Sequence, residues 1–456
     1  MRTATRRTYV LIVLILAFLC GLGFMAYSFI TQGDLWVSNR ANAHIYSGGE
    51  LTVAGTIYDR NGVALVSTKD GKRVYHKDSA VRRSTLHVVG DSAGYIATGV
   101  QTLYRSNLIG YNLVNGIYST LSADEGTDIE LTIDSGVCAS AYNAMNGKKG
   151  TVIVYNYKTG EVICMVSAPN YDPTNKPSDI NTDTSGKYNG IYMNRAISGV
   201  FTPGSTFKVV TAICAIENIS DLYSRTFKCT GKYKTKQGDV ICNGVHGTVN
   251  FERALNVSCN SVFAQLANEV GKDKLTQTVR QLGFGKNVTI SKAKTVRSTF
   301  DVSKSTSLDL GWAGIGQFTT LVNPCQMLMF MGAIANCGKA ITPYIVEESS
   351  ELVDTKGKQN SNIKLSEETA NKVKKLLRSN VKNYYSDKKF PNLEMCGKTG
   401  SAEVSNGRSH AWFVGFSQKK DFPYAVVVCL ENGGIGYNDA IPVANKVMQA
   451  LYSKVK

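Results

Sequence analysis

The longest apolar stretch of the chain runs from Tyr9 to Ile30, inside an uncharged segment from Thr8 to Gly33. About 20 helical residues cross a hydrocarbon core, so the pattern predicts a transmembrane helix over 9–31. Arg2, Arg6 and Arg7 precede it. The preference of Arg and Lys for the cytoplasmic side then puts 1–8 in the cytoplasm and everything after Asp34 outside. The run is longer than the roughly 7–15 residues of a cleaved signal core, and no small-x-small site closes it cleanly, so it reads as an uncleaved anchor. Between 45 and 145, short apolar runs alternate with Gly, Asp and Asn turns. Gly55–Val63 looks like a strand entering an Asn-Gly turn, and Ile129–Asp134 alternates with period two. Residues 34–148 are therefore expected to form a small, mostly β pedestal. From 149 onward the pattern changes. Thr151–Tyr155 and Glu161–Val166 are apolar strands joined by the turn Asn156–Gly160. Helical periods follow at 208–217, 262–270, 324–336 and 366–381, the last with Ser366 as N-cap. Strands at 411–416 and 424–430 and a helix at 442–453 close the chain. This order predicts an α+β domain over 149–456, one antiparallel sheet covered by helices.

Composition narrows the function. The 456 residues carry a net charge of +16, which suggests an anionic neighbourhood. With the bulk of the chain outside a membrane, nucleic acid is removed as the partner, and a membrane surface or acidic wall polymer remains. The five histidines are scattered and no His-Glu-x-x-His occurs, which argues against a zinc hydrolase. The eleven cysteines form no Cys-x-x-Cys, so a zinc ribbon or thioredoxin-type site has no support. No metal and no cofactor is expected. Cys229 and Cys242 flank a lysine-rich stretch and could pair across it.

Three short clusters carry candidate chemistry. In Thr202-Pro203-Gly204-Ser205-Thr206-Phe207-Lys208 a Pro-Gly break leads into an apolar helix. Ser205 then falls in the first turn, where backbone N–H groups are unpaired and the helix dipole is positive. Lys208 lies one turn on, on the same face. It can take the serine proton only as a neutral amine, a state favoured by burial and by a second cation. Ser-x-x-Lys also begins at Ser291, Ser361, Ser379, Ser386, Ser417 and Ser453, all in polar contexts that read as surface. The second cluster is Ser258-Cys259-Asn260, whose hydroxyl and amide can point the same way from a loop. Taken alone it also reads as a polar helix cap. The third is Lys398-Thr399-Gly400-Ser401, where a strand edge would offer a cation, hydroxyls and a backbone N–H to an anionic tail. Gly400 would admit close approach of substrate to the backbone. Lys158-Thr159-Gly160 repeats the three letters but sits in a hairpin turn. A phosphate loop ending at Gly397-Lys398-Thr399 would need Gly at 392, where Asn stands.

The trio in this order resembles a monofunctional class B penicillin-binding protein, and the likeness runs through nearly the whole chain after the anchor. Gly55–Gly62, Tyr171-Asp172-Pro173, Asn194-Arg195-Ala196, Gly314-Ile315-Gly316-Gln317, Asn323-Pro324-Cys325-Gln326 and His410–Gly415 carry the rest of it. The short pedestal is most similar to the penicillin-binding protein A branch and leaves no room for a glycosyltransferase module. Phe318 and Asn323 depart from the family's usual Gly and Thr. The resemblance implies a penicillin-binding/serine β-lactamase-like fold and a D,D-transpeptidase that cross-links peptidoglycan stem peptides. It assigns Ser205 as nucleophile and Lys208 as its base. Ser258 passes a proton to the departing D-alanine, and Asn260 orients the peptide. Lys398, Thr399 and Ser401 bind the terminal carboxylate, and N–H groups of Ser205 and Ser401 hold the oxyanion. It further implies trapping by β-lactams and a membrane-embedded glycan polymerase of the shape or division machinery as partner.

Two rivals stay open. A D,D-carboxypeptidase or β-lactamase on the same scaffold differs only in letting water reach the acyl-enzyme, and Cys259 stands where one β-lactamase class has Asp. The other is a non-enzymatic β-lactam receptor or a scaffold protein: a receptor would need an intracellular output segment, for which the residues before the apolar run leave no space, and a scaffold would require Ser205→Ala to support normal wall cross-linking.

Overall fold

The computed structural model describes residues 2–37, 39, 46–47, 50–111, 126–347, 357–405 and 407–455. The chain divides into two compact units, one of 1–57, 66–74 and 104–129, the other of 58–65, 75–103 and 130–456.

The first unit contains helix α1 (Arg2–Val37), whose segment Thr5–Gly33 is long and apolar enough to cross a membrane. Its globular part is tied by the buried Arg73, whose guanidinium donates to Ala54 O at 3.0 Å and Gly55 O at 2.9 Å.

In the second unit, helices occupy positions where alternation predicts strands. Ser79–Val89 is helical, with Asp78 accepting from Ala80 N. Its buried face includes Ser84, Thr85 and His87 beside Leu86 and Val88, and those polar types hide the helical period. The His87 ring Nε2 lies 2.8 Å from Ile191 O, and burial pushes its pKa down to about 4. Ile129–Asp134 is a strand only at Ile129–Glu130, because Asp134 turns to cap helix Ser135–Met145 through Val137 N.

The centre is a five-stranded sheet of β1 (Gly150–Asn156), β2 (Val162–Ala168), β3 (Met395–Ala402), β4 (His410–Ser417) and β5 (Tyr424–Leu430). The order is β3-β4-β5-β1-β2, antiparallel throughout, with β3 at an edge. Every position of β1, β2 and β5 is buried, as their unbroken apolar runs require. Helix α4 (Pro324–Ala335) packs across β1, β4 and β5, and α5 (Glu367–Ser379) packs on β3. Helix α6 (Ile441–Val455) lies against β5 and against Ser135–Met145. Two more helices, α2 (Lys208–Asn218) and α3 (Asn260–Gln281), pack on each other beside the free edge of the sheet. Helix α3 kinks at Gly271 (φ 81°), so the apolar period that ends at Val270 resumes in a new phase at Leu275 and Val279.

Asn323 caps α4 by accepting from Cys325 N and Gln326 N at 3.0 and 3.2 Å. Its amide donates to Ala196 O, Ile197 O and Gly199 O at 3.1, 3.0 and 2.8 Å, so one buried side chain ties the helix to the turn before Ser205. Asn323→Ala removes a cap and strands buried carbonyls, and should lower stability by about 2–3 kcal/mol, read from the urea midpoint.

Candidate active site

Ser205 sits in the 3₁₀ turn Gly204–Thr206 that runs into α2. The turn is clamped from three sides. Gly204 N donates to Gly316 O at 2.9 Å, and a Cβ on Gly316 (φ 82°) would meet Gly204 O at 2.2 Å. Trp412 Nε1 on β4 donates to Thr202 O at 3.0 Å. On the third side is β3, where a Cβ on Gly400 would lie 2.5 Å from Pro203 O. Gly400 therefore admits the nucleophile turn against the strand, where the sequence suggests room for substrate.

Lys208 and Lys398 are fully buried behind a cleft of about 620 Å³ whose lining includes Ser205, Ser258, Asn260, Thr399, Ser401 and Tyr385. Lys208 Nζ lies 3.0 Å from Ser205 Oγ and 3.1 Å from Ser258 Oγ. Its shortest contacts are to the pure acceptors Ser258 O (2.6 Å) and Asn260 Oδ1 (2.7 Å). A neutral amine has two N–H bonds, and these two acceptors take both. The lone pair is then left for the Ser205 hydroxyl. Burial, and then the charge of Lys398, push the Lys208 pKa well below its ordinary value, toward that neutral state. Lys398 Nζ lies 2.9 Å from Ser258 Oγ, and burial lowers its pKa to about 7. Ser258 thus stands between the two amines. It holds φ 56°, a left-handed conformation unusual for serine.

On the edge strand, Thr399 N donates to Tyr385 Oη at 3.0 Å, so it faces away from β4. Strand alternation puts Ser401 N on that same side, toward the cleft. The Thr399 hydroxyl is 2.8 Å from Tyr385 Oη, and Ser401 Oγ accepts from Gly436 N at 3.0 Å, which leaves its proton to donate. Ser205, Lys208, Ser258, Asn260, Lys398, Thr399, Gly400 and Ser401 therefore converge on one place. The second Lys-Thr-Gly does not. Lys158–Gly160 stays in the turn between β1 and β2. The other Ser-x-x-Lys serines that the structure engages serve the scaffold: Ser291 Oγ accepts from Ile345 N and Val346 N, Ser379 Oγ binds the Asn256, Glu252 and Asn383 side chains, and Ser417, buried rather than at the surface, donates to Leu393 O. Residues 150–453 match the penicillin binding protein transpeptidase domain.

The chain belongs to the penicillin-binding protein transpeptidase family. It is 26% identical over 424 residues to the peptidoglycan D,D-transpeptidase PbpA of Mycolicibacterium smegmatis, a span of 85% of this chain and 84% of that protein. It is 26% identical over 449 residues to the stage V sporulation protein D of Bacillus subtilis, covering 88% and 68%. Among solved structures, it superposes on the D,D-transpeptidase domain of an Eggerthella lenta peptidoglycan glycosyltransferase with TM-score 0.73 and 28% identity, over 88% and 98% of the two chains. The ceftriaxone acyl-enzyme of Mycobacterium tuberculosis penicillin-binding protein A gives TM-score 0.74 at 23% identity over 87% and 98%, a likeness of fold. These relatives place the chain in class B of the family.

The family's other motifs are scaffolding here. Asp172 pairs with Arg82 at 2.6 Å, which holds its carboxyl well below the usual range. Arg195 pairs with Glu431 and donates to Gly190 O at 2.8 Å. Phe318, where the family has Gly, adopts φ 60° and is half exposed. Tyr384, Tyr385 and Tyr437 form an aromatic wall of the cleft that sequence reasoning passes over. The only trace is a Tyr-Tyr pair in an otherwise polar stretch, which folds as the π-turn Asn380–Ser386. Cys229 and Cys242 are free thiols, not a disulfide. Together with His246 and Cys259 they offer four ligand atoms within 4.8 Å of one another.

Proposed function

We propose that the protein is a peptidoglycan D,D-transpeptidase acting through a Ser205 acyl-enzyme and blocked by β-lactams. The observation that carries this reading is the buried Lys208 amine, 3.0 Å from Ser205 Oγ, with its N–H bonds taken by Ser258 O and Asn260 Oδ1. Ser205 Oγ attacks the carbonyl between the two terminal D-alanines of a stem peptide while Lys208 takes the hydroxyl proton. N–H groups of Ser205 and Ser401 receive the oxyanion, each such donor contributing about 3–4 kcal/mol. Ser258, hydrogen-bonded toward both lysines, passes a proton to the departing D-alanine amine. Asn260 orients the peptide. Lys398, Thr399 and Ser401 hold the terminal carboxylate, and an amine of a neighbouring stem then takes the acyl group. A β-lactam carbonyl enters by the same attack, and its ring-opened acyl group stays on Ser205.

The Arg2, Arg6 and Arg7 charges ahead of the apolar run Tyr9–Ile30 support a cytoplasmic N-terminus and an extracytoplasmic site. A site on the extracytoplasmic side fits work with a membrane-embedded glycan polymerase.

Intact mass of the full-length protein after benzylpenicillin, followed by peptide mapping, tests the reading. One penicilloyl group on Ser205, stable for many minutes, is expected. A label on another serine overturns the site, and release within seconds makes the protein a β-lactamase. Incubation with a stem pentapeptide and a D-amino acid acceptor should yield exchanged peptide. Hydrolysed tetrapeptide alone would indicate a carboxypeptidase.

A further inference from the structure

Three cysteines and one histidine meet directly behind the Ser258-Cys259-Asn260 loop. Cys229 ends strand Thr226–Cys229, which pairs with Gly247–Asn250, so His246 arrives next to it. Cys242 follows the hairpin Lys232–Thr235/Gly238–Ile241 and is held by its own N–H on Gly231 O at 2.9 Å. Cys259 is the N-cap residue of α3. Cys229 and Cys242 Sγ each lie 3.5 Å from His246 Nδ1, and Cys242 Sγ lies 3.8 Å from Cys259 Sγ. A zinc tetrahedron with Zn–S of about 2.3 Å and Zn–N of about 2.0 Å has S···S edges of about 3.8 Å and S···N edges of about 3.5 Å. All four ligand atoms lie within 4.8 Å of one another, and these three separations match edges of such a tetrahedron. They do not fit a disulfide, whose sulfurs are about 2.05 Å apart. The three thiols are buried and the histidine is half-buried. Asn260 N donates to Cys242 Sγ at 3.2 Å, the kind of N–H contact that steadies a thiolate ligand.

We propose that Cys229, Cys242, His246 and Cys259 bind one zinc ion, and that this ion positions Ser258 and Asn260. Binding replaces three thiol protons, which leave to solvent, and His246 Nδ1 donates its lone pair. The ion is redox-inert and keeps four protein ligands, so the site is closed and structural. The thiolate-rich set disfavours magnesium and calcium, which take oxygen ligands. Cys259 lies between Ser258 and Asn260, both of which contact Lys208. Fixing its sulfur fixes the strained Ser258 backbone on one side and the Asn260 amide on the other, which also donates to Ile241 O at 2.9 Å. The positioning role rests on the function proposed above; the metal site does not.

The test uses the full-length protein in detergent, isolated without a metal-affinity step. Elemental analysis should find one zinc per chain. Cys259→Ser should retain less than about a tenth of it, whereas H246C, which keeps four ligands, should retain it. Wild type stripped by a chelator and given cobalt should show thiolate-to-cobalt charge-transfer absorption. Stripped wild type should acylate Ser205 with benzylpenicillin at least about tenfold more slowly, and zinc should restore the rate. Reduced wild type that neither carries nor takes up zinc or cobalt overturns the metal site, as does equal zinc in wild type and C259S. A Cys242–Cys259 disulfide in protein alkylated directly from membranes also overturns it. Zinc binding without any effect on acylation overturns the positioning role alone. Zinc binding in a protein that penicillin never labels at Ser205 would instead remove the proposed reaction and leave the metal site standing.

Discussion

Lys208→Arg should reduce acylation of Ser205 by about 10³–10⁴-fold although the positive charge is kept, because a guanidinium never becomes a neutral base at working pH. In the native site the amine has two short contacts to acceptors that cannot donate, and a third direction open to the Ser205 hydroxyl. Arginine would satisfy the same acceptors as a permanent cation and leave Ser205 protonated. Lys208→Ala, which removes the base without crowding the cleft, should lose a similar factor. The rate of fluorescent penicillin incorporation, compared at matched folded fraction, reads both. An arginine variant that acylates within about tenfold of wild type would mean that Lys208 acts as a fixed charge, and another group would have to take the proton.

Much of this arrangement is legible in sequence because it is local. The Pro203-Gly204 break, the apolar run from Val209 and the three-residue step from Ser205 to Lys208 are short-range features, and the turn and helix follow from them. Four of the five sheet strands, β1, β2, β4 and β5, are readable for the same reason, since apolar runs bounded by turns have few other places to go; β3, with its Gly-Lys-Thr-Gly-Ser run, carries no such signal. Contacts set by long-range packing are not readable. Gly400 faces the Pro203 carbonyl rather than a ligand because β3 and the nucleophile turn, nearly 200 positions apart, share one surface. Tyr385 reaches Thr399 from a π-turn that no period announces. The helix Ser79–Val89 hides behind buried Ser84, Thr85 and His87. Cys229, Cys242, His246 and Cys259 have spacings that match no short metal motif, and only the pairing of two small ladders brings them together.

Lys398→Met should separate catalysis from stability. Burial lowers the Lys398 pKa from 10.5 to about 7, so between those values the unfolded chain holds a proton that the folded protein has released. Stability therefore rises with pH across that window and is lost as pH falls through it. Keeping this amine buried at pH 7 costs on the order of 4 kcal/mol, offset in part by its contacts with Ser258 Oγ and Thr399 O. Methionine fills similar space without the charge. The variant should unfold at a higher denaturant concentration at pH 7, by on the order of 2 kcal/mol, and its stability should vary less from pH 7 to 10. Activity should move the other way. Ser258 loses one of its two amine partners, and the nearby cation that lowers the Lys208 pKa disappears. Lys208 then holds its proton to higher pH, so the acid limb of the acylation profile should shift to more alkaline pH. The rate at pH 7 should fall by about 10²-fold or more. Acylation rate constants from pH 5 to 10, set beside denaturation midpoints over the same range, would check both halves. A K398M variant less stable than wild type at pH 7 would mean that the Ser258 and Thr399 contacts outweigh the burial of the amine. An unmoved acid limb would mean that Lys398 does not set the protonation of Lys208.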